Sequence, residues 1–243
     1  MEIRRFFIDN DKAYDNYIII DGEEFNHMVK VLRYKVGYEI IVCLNDGLDY
    51  RCTICSIDKK SAKARIDYVE KNEAVPDVKI NLYQALPKGD KLDLITQKCV
   101  ELGVATINPF LSQYTNETKF KKERLEKIAL EACKQCGRAQ LPEISSLMDF
   151  DQMLDSIDSE IIIMPYEHAQ VGKISRIKNL RNAKSIAIII GSEGGFCEEE
   201  VAKAKKKGAK IVSLGKRILR CETAAIVAQT LVMYEIGELS RWK

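Results

Sequence analysis

The chain has 243 residues, 46% apolar and 30% charged, the make-up of an ordinary globular protein of one large or two smaller domains. Its net charge of +2 argues neither for nor against nucleic acid as a partner. No N-terminal apolar run resembles a signal peptide and no stretch approaches the roughly 20 residues of a membrane span, so a soluble, cytoplasmic protein with no membrane partner is expected.

Residues 1–75 read as β-rich. Short alternating or β-branched runs cover 17–20, 39–44, 50–57 and 62–69, with Asn45-Asp46-Gly47 and Asp58-Lys59-Lys60 as turns. One helix, about Glu23 to Leu32, interrupts them, and the pattern predicts a small barrel. Asn72 to Asp77, with Pro76, reads as the linker, giving domains of 1–75 and 76–243. From Val78 onward strands alternate with helices. Strands are predicted at 78–86, 105–110, 160–164, 185–190 and 211–214, and helices at 91–102, 121–136, 198–207 and 223–239. That alternation implies an α/β domain with a parallel sheet covered on both faces.

Charge is unevenly spread. Lys203 to Arg220 holds eight basic residues and no acid, Lys119 to Arg138 seven against three, and residues 1–75 twelve against fourteen. A phosphate-binding surface is therefore expected to be local and largely C-terminal. The eight cysteines read as reduced thiols. Cys52/Cys55 lie on a strand, where i and i+3 face opposite sides. Cys133/Cys136 share a helix face but have only His27 and His168 as possible imidazole partners, so no metal is expected.

Two segments carry the chemistry. Ile188 to Phe196 is a buried strand ending in Gly191-Ser-Glu-Gly-Gly195. Its glycines allow a ligand close to the backbone, and the helix start that follows favours an anion. It is neither a P-loop nor a dinucleotide fingerprint. Glu193 at its tip suits an acid–base or orienting role, or simple charge complementarity with the helix. The second segment, Leu214 to Ala225, places Arg217 and Arg220 around Ile218-Leu219, with Thr223 positioned to help cap a helix. Apolar side chains beside loop backbone suit an adenosine-like ligand; the alternative is a salt-bridged helix start, Arg220 with Glu222. Two such turns at strand ends make a pocket at the carboxyl edge of the sheet.

These segments resemble the signature of the SPOUT RNA methyltransferases, and within them the RsmE family. The family's later loop, Leu-Gly-x-Arg-x-Leu-Arg-x-Glu-Thr-Ala, is matched from Leu214 to Ala224. Its Gly-Pro-Glu-Gly-Gly turn is matched except for Ser192, which is expected to loosen it. Arg4-Arg5-Phe6-Phe7, His27 to Arg33, Ala85 to Lys91, Gln97 to Gly103 and Ala132 to Arg138 add matches in family order. The resemblance implies a PUA-like RNA-binding barrel followed by a SPOUT domain with a C-terminal trefoil knot. It implies a homodimer acting on 16S ribosomal RNA of the small subunit, with methylation at N3 of a specific uridine.

S-adenosylmethionine would bind against Met164, Pro165, Ile190, Gly191, Gly194, Gly195, Leu214, Gly215, Ile218, Leu219 and Thr223. Glu193 and Arg220 are the catalytic candidates. Arg5, His27, Arg33, Lys88, Arg138 and Arg217 are the candidate RNA contacts. The rival readings are a catalytically silent RNA-binding or ribosome-assembly factor on the same scaffold, and a nucleotide-dependent metabolic enzyme. The intact cofactor loop disfavours the first, and the missing phosphate-binding fingerprint the second.

Overall fold

The computed structural model describes residues 3–169 and 172–239. The chain divides into two units, one of residues up to Val75 plus Cys133–Leu141, the other of Pro76–Ala132 and residues from Pro142 onward.

The first unit is built on β1 (Arg5–Phe7), β2 (Ala13–Tyr14), β3 (Tyr17–Asp21), β4 (Glu39–Cys43), β5 (Leu48–Ile57) and β6 (Ser61–Lys71). Their order is β1-β4-β5-β6-β3-β2. Only β1 with β4 is parallel. The ladders trace an open path with β1 and β2 at its ends, where the sequence predicts a barrel. Those two strands, of three and two residues, are too short to leave a periodic pattern. Period-two alternation fills the core: Ile18 and Ile20 are fully buried while Tyr17 and Ile19 face outward. Helix α1 (Gly22–Asn26) widens into a π-type turn over His27–Val31, in place of the single helix expected.

A buried polar knot closes this unit. The Arg5 guanidinium pairs with Asp49, donating from Nη2 to Oδ2 at 2.9 Å. Asn72 Nδ2 donates to Asp49 Oδ1 at 3.0 Å and to the Gly137 carbonyl at 2.9 Å. Asn72 is therefore fixed and buried, not the start of a free linker. The same bond explains why 133–141, assigned to the C-terminal domain from sequence, clusters with the first unit. Ala139 also packs on Ile41 and Cys43, and Leu141 N–H donates to Asn45 Oδ1 at 2.7 Å.

The second unit contains β7 (Lys79–Ala85), β8 (Thr106–Leu111), β9 (Glu143–Ile144), β10 (Met148–Asp149), β11 (Ile161–Pro165), β12 (Ser185–Ile190) and β13 (Lys210–Val212). The order is β10-β8-β7-β12-β11-β13, with β9 beside β8, and every ladder is parallel. The helices are α2 (Lys91–Glu101), α3 (Lys122–Cys136), α4 (Phe150–Ser156), α5 (Glu198–Lys207) and α6 (Cys221–Glu235); the last turn of α3 belongs to the first unit.

A parallel sheet has no wet face, which is why β12 is buried from Ile186 to Ile190. Ala187 and Ile189 pack with Phe150 and Met153 of α4 and Val201 and Ala204 of α5. On the other side α6 packs against α2, β12 and β7. Gln229 of α6 donates to the carbonyls of Cys99 and Leu102 at 2.9 and 3.1 Å, satisfying orphan acceptors at the end of α2.

Arg5→Met strands the Asp49 carboxylate, which is almost wholly buried. Removing one partner of a buried ion pair costs about 3–5 kcal/mol. The variant is expected to lose stability by about that amount in urea unfolding followed by circular dichroism; an unchanged midpoint would show that Asp49 is not held by Arg5.

Candidate functional site

β11, β12 and β13 end side by side. Their register sets Ile163 against Ile188 and Pro165 against Val212, so the loops that follow emerge at one edge. They enclose a pocket of about 470 Å³ together with Lys91. Pro165, Ile190, Gly191, Gly195, Leu214, Gly215, Ile218 and Leu219 line it, as do Glu193, Arg217 and Arg220.

Three expected cofactor contacts fall elsewhere. Met164 is fully buried in the core under α4 and α5, because the strand pleat turns it away from the rim. Gly194 is outside the lining and faces Tyr114, whose Cβ would lie 2.5 Å from a Cβ at 194. Thr223 is exposed in the first turn of α6. The N-cap there is Arg220, and no side chain caps the helix, so Thr223 is no cap.

The glycine turn is tethered from below. Fully buried Gln84 donates to the Ala85 and Gly191 carbonyls at 2.9 and 3.2 Å. Gly195 N–H donates to the Ser192 carbonyl at 3.0 Å. A Cβ on Gly191 would lie 3.1 Å from the Gly195 backbone, and Gly195 itself has φ +66°, so the turn can close only with glycines at these points. Ser192 does not loosen it. Its Oγ donates to the Tyr114 carbonyl at 3.3 Å, a bond that proline could not make. Phe196 anchors the exit, buried edge-on against Phe150 with ring centroids 6.4 Å apart.

The start of α5 does not await an anion. Glu200 Oε2 accepts from Cys197 N–H at 3.1 Å and its Oε1 from Gln113 N–H at 2.8 Å, so the protein's own carboxylate fills that position.

Glu193 Oε1 accepts from the Lys88 backbone N–H at 3.0 Å and from Lys91 Nζ at 2.5 Å. Partial burial pushes its pKa up, but Lys91 and the backbone donors outweigh that and hold it below the usual glutamate value. The Lys91 ammonium is raised chiefly by its bond to Glu193, with Cys221 and Glu222 adding to the field. Both are charged at neutral pH. The clamp is therefore present at neutral pH and is lost as pH falls through the lowered Glu193 value.

Cys221 Sγ donates to Glu222 Oε2 at 3.3 Å, and burial first, then this bond, pushes the thiol up to about 12. Glu222 thus serves the thiol rather than Arg220. Arg217 and Arg220 are exposed, and among the described residues neither has a carboxylate partner. Ile218 is 85% exposed at the loop tip. Lys91, Glu167 and Cys221 line the pocket and were missed from sequence, since each arrives from outside the two glycine-bearing segments or carries no local signature.

Of the expected RNA contacts, Lys88 and Arg33 are exposed, and Arg33 takes a left-handed φ of 57°. His27 is half-buried with its ring 6.4 Å from that of Phe6. Arg5 is committed to Asp49. Arg138 is 3% exposed, and desolvation lowers its pKa. Arg138 thus belongs to the first unit's interior, while Arg5 is half-buried with its guanidinium turned to Asp49. No group of three or more His, Cys, Asp or Glu poised for a metal occurs among the described residues, and no helix of theirs is long and apolar enough to cross a membrane.

Comparison with known proteins matches residues 74–233 to an RNA methyltransferase domain and residues 20–67 to an RNA methyltransferase PUA domain. A ribosomal RNA small subunit methyltransferase E from Bacillus subtilis (strain 168) is 34% identical over 229 residues, 89% of each chain. Its namesake from Buchnera aphidicola of Acyrthosiphon pisum is 32% identical over 98% of this chain and 95% of its own. The crystal structure of a ribosomal RNA small subunit methyltransferase E from Neisseria gonorrhoeae bound to S-adenosyl methionine superposes with a TM-score of 0.84. Its identity is 27%, over 96% of this chain and 98% of that one.

A side chain at Gly195 must adopt the left-handed conformation, at about 1–2 kcal/mol, and its Cβ would lie 2.6 Å from Glu167 Oε1. Gly195→Ala is expected to weaken S-adenosylmethionine binding about tenfold, and Gly195→Val to abolish it, in calorimetric titrations of variants with unchanged circular dichroism. Wild-type affinity in folded Gly195→Val would remove this turn from the site.

Proposed function

This chain belongs to the ribosomal RNA small subunit methyltransferase E family, and from that premise we propose that it methylates N3 of one uridine in 16S ribosomal RNA, of the m3U1498 type. The methyl donor is S-adenosylmethionine. The observation that carries the reading is the pocket where a glycine backbone cradle meets two unpaired arginines and an ion-paired lysine. Its volume of about 470 Å³ lies in the range of small-molecule sites, and the cradle would be filled by a Cβ at Gly191 or Gly195, so the residues fit the donor.

When bound, the donor supplies an electrophilic methyl group on a sulfonium. The chain's part is alignment and charge. Pro165, Ile190, Leu214 and Leu219 would provide apolar walls, and the backbone of Gly191, Gly195 and Gly215 would hold the donor. As N3 of uracil loses its proton, negative charge spreads onto the flanking carbonyl oxygens. Arg220 is assigned to that charge, with Arg217 on the same edge or a neighbouring phosphate. Glu193 is assigned an orienting role. A carboxylate held below its usual pKa, with one oxygen already shared by two donors, is a poor proton acceptor, so the N3 proton leaves to water. Lys88, His27 and Arg33 remain candidate RNA contacts. The target base must leave its stack to present its Watson–Crick edge.

Several further features accompany this reading. The residues up to 75 are assigned to RNA docking and those from 76 onward to catalysis. The C-terminal segment is assigned a trefoil knot. In support, Ser213 N–H donates to the Gly172 carbonyl at 3.0 Å, and α6 touches both the 174–176 turn and the sheet strands β7 and β12. Homodimerisation is supported by Leu231 and Tyr234, exposed apolar residues three apart on α6. A cytoplasmic setting is supported by the eight cysteines, none of which is in a disulfide.

The test is methyl transfer from labelled donor to small subunits purified from cells lacking the protein, with the product nucleoside identified by mass spectrometry. 3-Methyluridine is expected; a methyl group found on another atom overturns the assignment. Arg220→Ala is expected to slow single turnover about 10²–10³-fold while cofactor affinity stays within about threefold. The wild-type rate should climb with pH toward N3 ionisation, with no inflection from Glu193 in the neutral range. An acidic limb that vanishes in Glu193→Gln would make Glu193 the base after all.

A further inference from the structure

A second cavity, of about 730 Å³, runs along the edge strand β13 and reaches the start of β11. Glu160 and Ile161 at the entry to β11, Asn182 before β12 and all of β13, Lys210 to Val212, line it. Lys173, Arg176 and Lys178 complete its rim. Four cations thus surround one cavity whose sole lining carboxylate, Glu160, already accepts from Lys184 N–H at 3.0 Å. None of the four is ion-paired among the described residues. The segment that carries three of them, 173–184, has five basic residues and no acid.

This segment is built to present its charge. Ile174 and Leu180 are buried anchors, and Arg181 Nε donates to the Glu235 carbonyl at 2.9 Å at the end of α6. Every exposed residue between the anchors is polar or charged. Like charges held together on anchored backbone repel one another and raise the local concentration of anions. A protein partner would want an apolar, charge-poor centre with few lysines, which this cavity does not offer. Phosphodiester groups want Lys and Arg with neutral donors between them, and Asn179 and Asn182 supply the latter.

We propose that this basic cavity is a second RNA-binding site, holding backbone phosphates of the substrate outside the pocket of the reacting base. The identity of the RNA rests on the function proposed above; the anion chemistry does not. Val212 lines this cavity and the next residue, Ser213, lines the first pocket, so the two sites are neighbours along β13.

The experiment is filter binding of 16S ribosomal RNA to the full chain across a potassium chloride series, without turnover. Lys173→Glu/Arg176→Glu is expected to raise Kd at least about tenfold at low salt and to reduce the slope of log K against log salt by about two. Cofactor affinity and kcat at saturating RNA should be unchanged, with KM carrying the loss. The neutral pair Lys173→Gln/Lys178→Gln, milder toward folding, should move both quantities in the same direction by less. Folded variants with wild-type Kd and salt slope overturn the proposal, as does an affinity loss that tracks a changed elution volume in size-exclusion chromatography. A wild-type protein that binds RNA in this way yet produces no 3-methyluridine overturns the function assigned to the first pocket and leaves the second standing.

Discussion

Everything at the candidate active site depends on the parallel register of β7, β12, β11 and β13. Parallel strands end on the same side, and each must return through a crossover before the next begins. Three consecutive returns therefore open at one edge, and the ladder from Pro165 to Val212 fixes their heights. An antiparallel neighbour at any of these positions would send one loop to the far edge and leave the pocket without a wall. Six consecutive pairings of β12 with β7, from Ser185–Lys79 to Ile190–Gln84, hold β12 at the centre of this arrangement.

On that frame the loops differ in how they are held. The turn after β12 is tied by buried donors, Gln84 to Gly191 and Ser192 to Tyr114, and by Glu193 to the 88–91 segment. Hydrogen bonds of this kind contribute about 1 kcal/mol each, enough together to keep a backbone cradle in one shape. In the loop after β13 the side chains of Arg217, Ile218 and Arg220 have no comparable ties among the described residues. Its cations stay solvated and adjustable, as suits groups that meet a large polyanion. Rigidity is placed in the glycine cradle proposed for the small ligand, and freedom in the arginines proposed for the large one.

Much of this was legible in the sequence, for local reasons. Ser185–Ile190 and Glu198–Lys207 fall on their expected bounds, because an unbroken apolar run and an acid-to-lysine gradient mark them strongly. β9 and β10, two residues each, leave no periodicity, and α4 carries only the Asp149 and Gln152 capping pair. The glycine turn and the 214–220 loop could be read because each is contiguous. Lys91 could not, since its partner is 102 positions away. Arg5 and Arg138 err the other way: a cation in a sequence says nothing of burial or pairing, and Arg138 is interior while Arg5 is paired with Asp49. Met164 and Gly194 were one residue out of phase with the rim, a matter of pleat and turn that composition does not encode.

Cys221 opens α6 on the wall of the pocket proposed for the methyl donor. A sulfonium methyl is an alkylating agent, and a thiolate is among the best nucleophiles a protein has. A thiol raised to about 12 by burial and by the Glu222 carboxylate stays protonated at every physiological pH. The sulfur is thereby passivated, and the methyl group is spared for the RNA instead of being spent on the enzyme's own side chain.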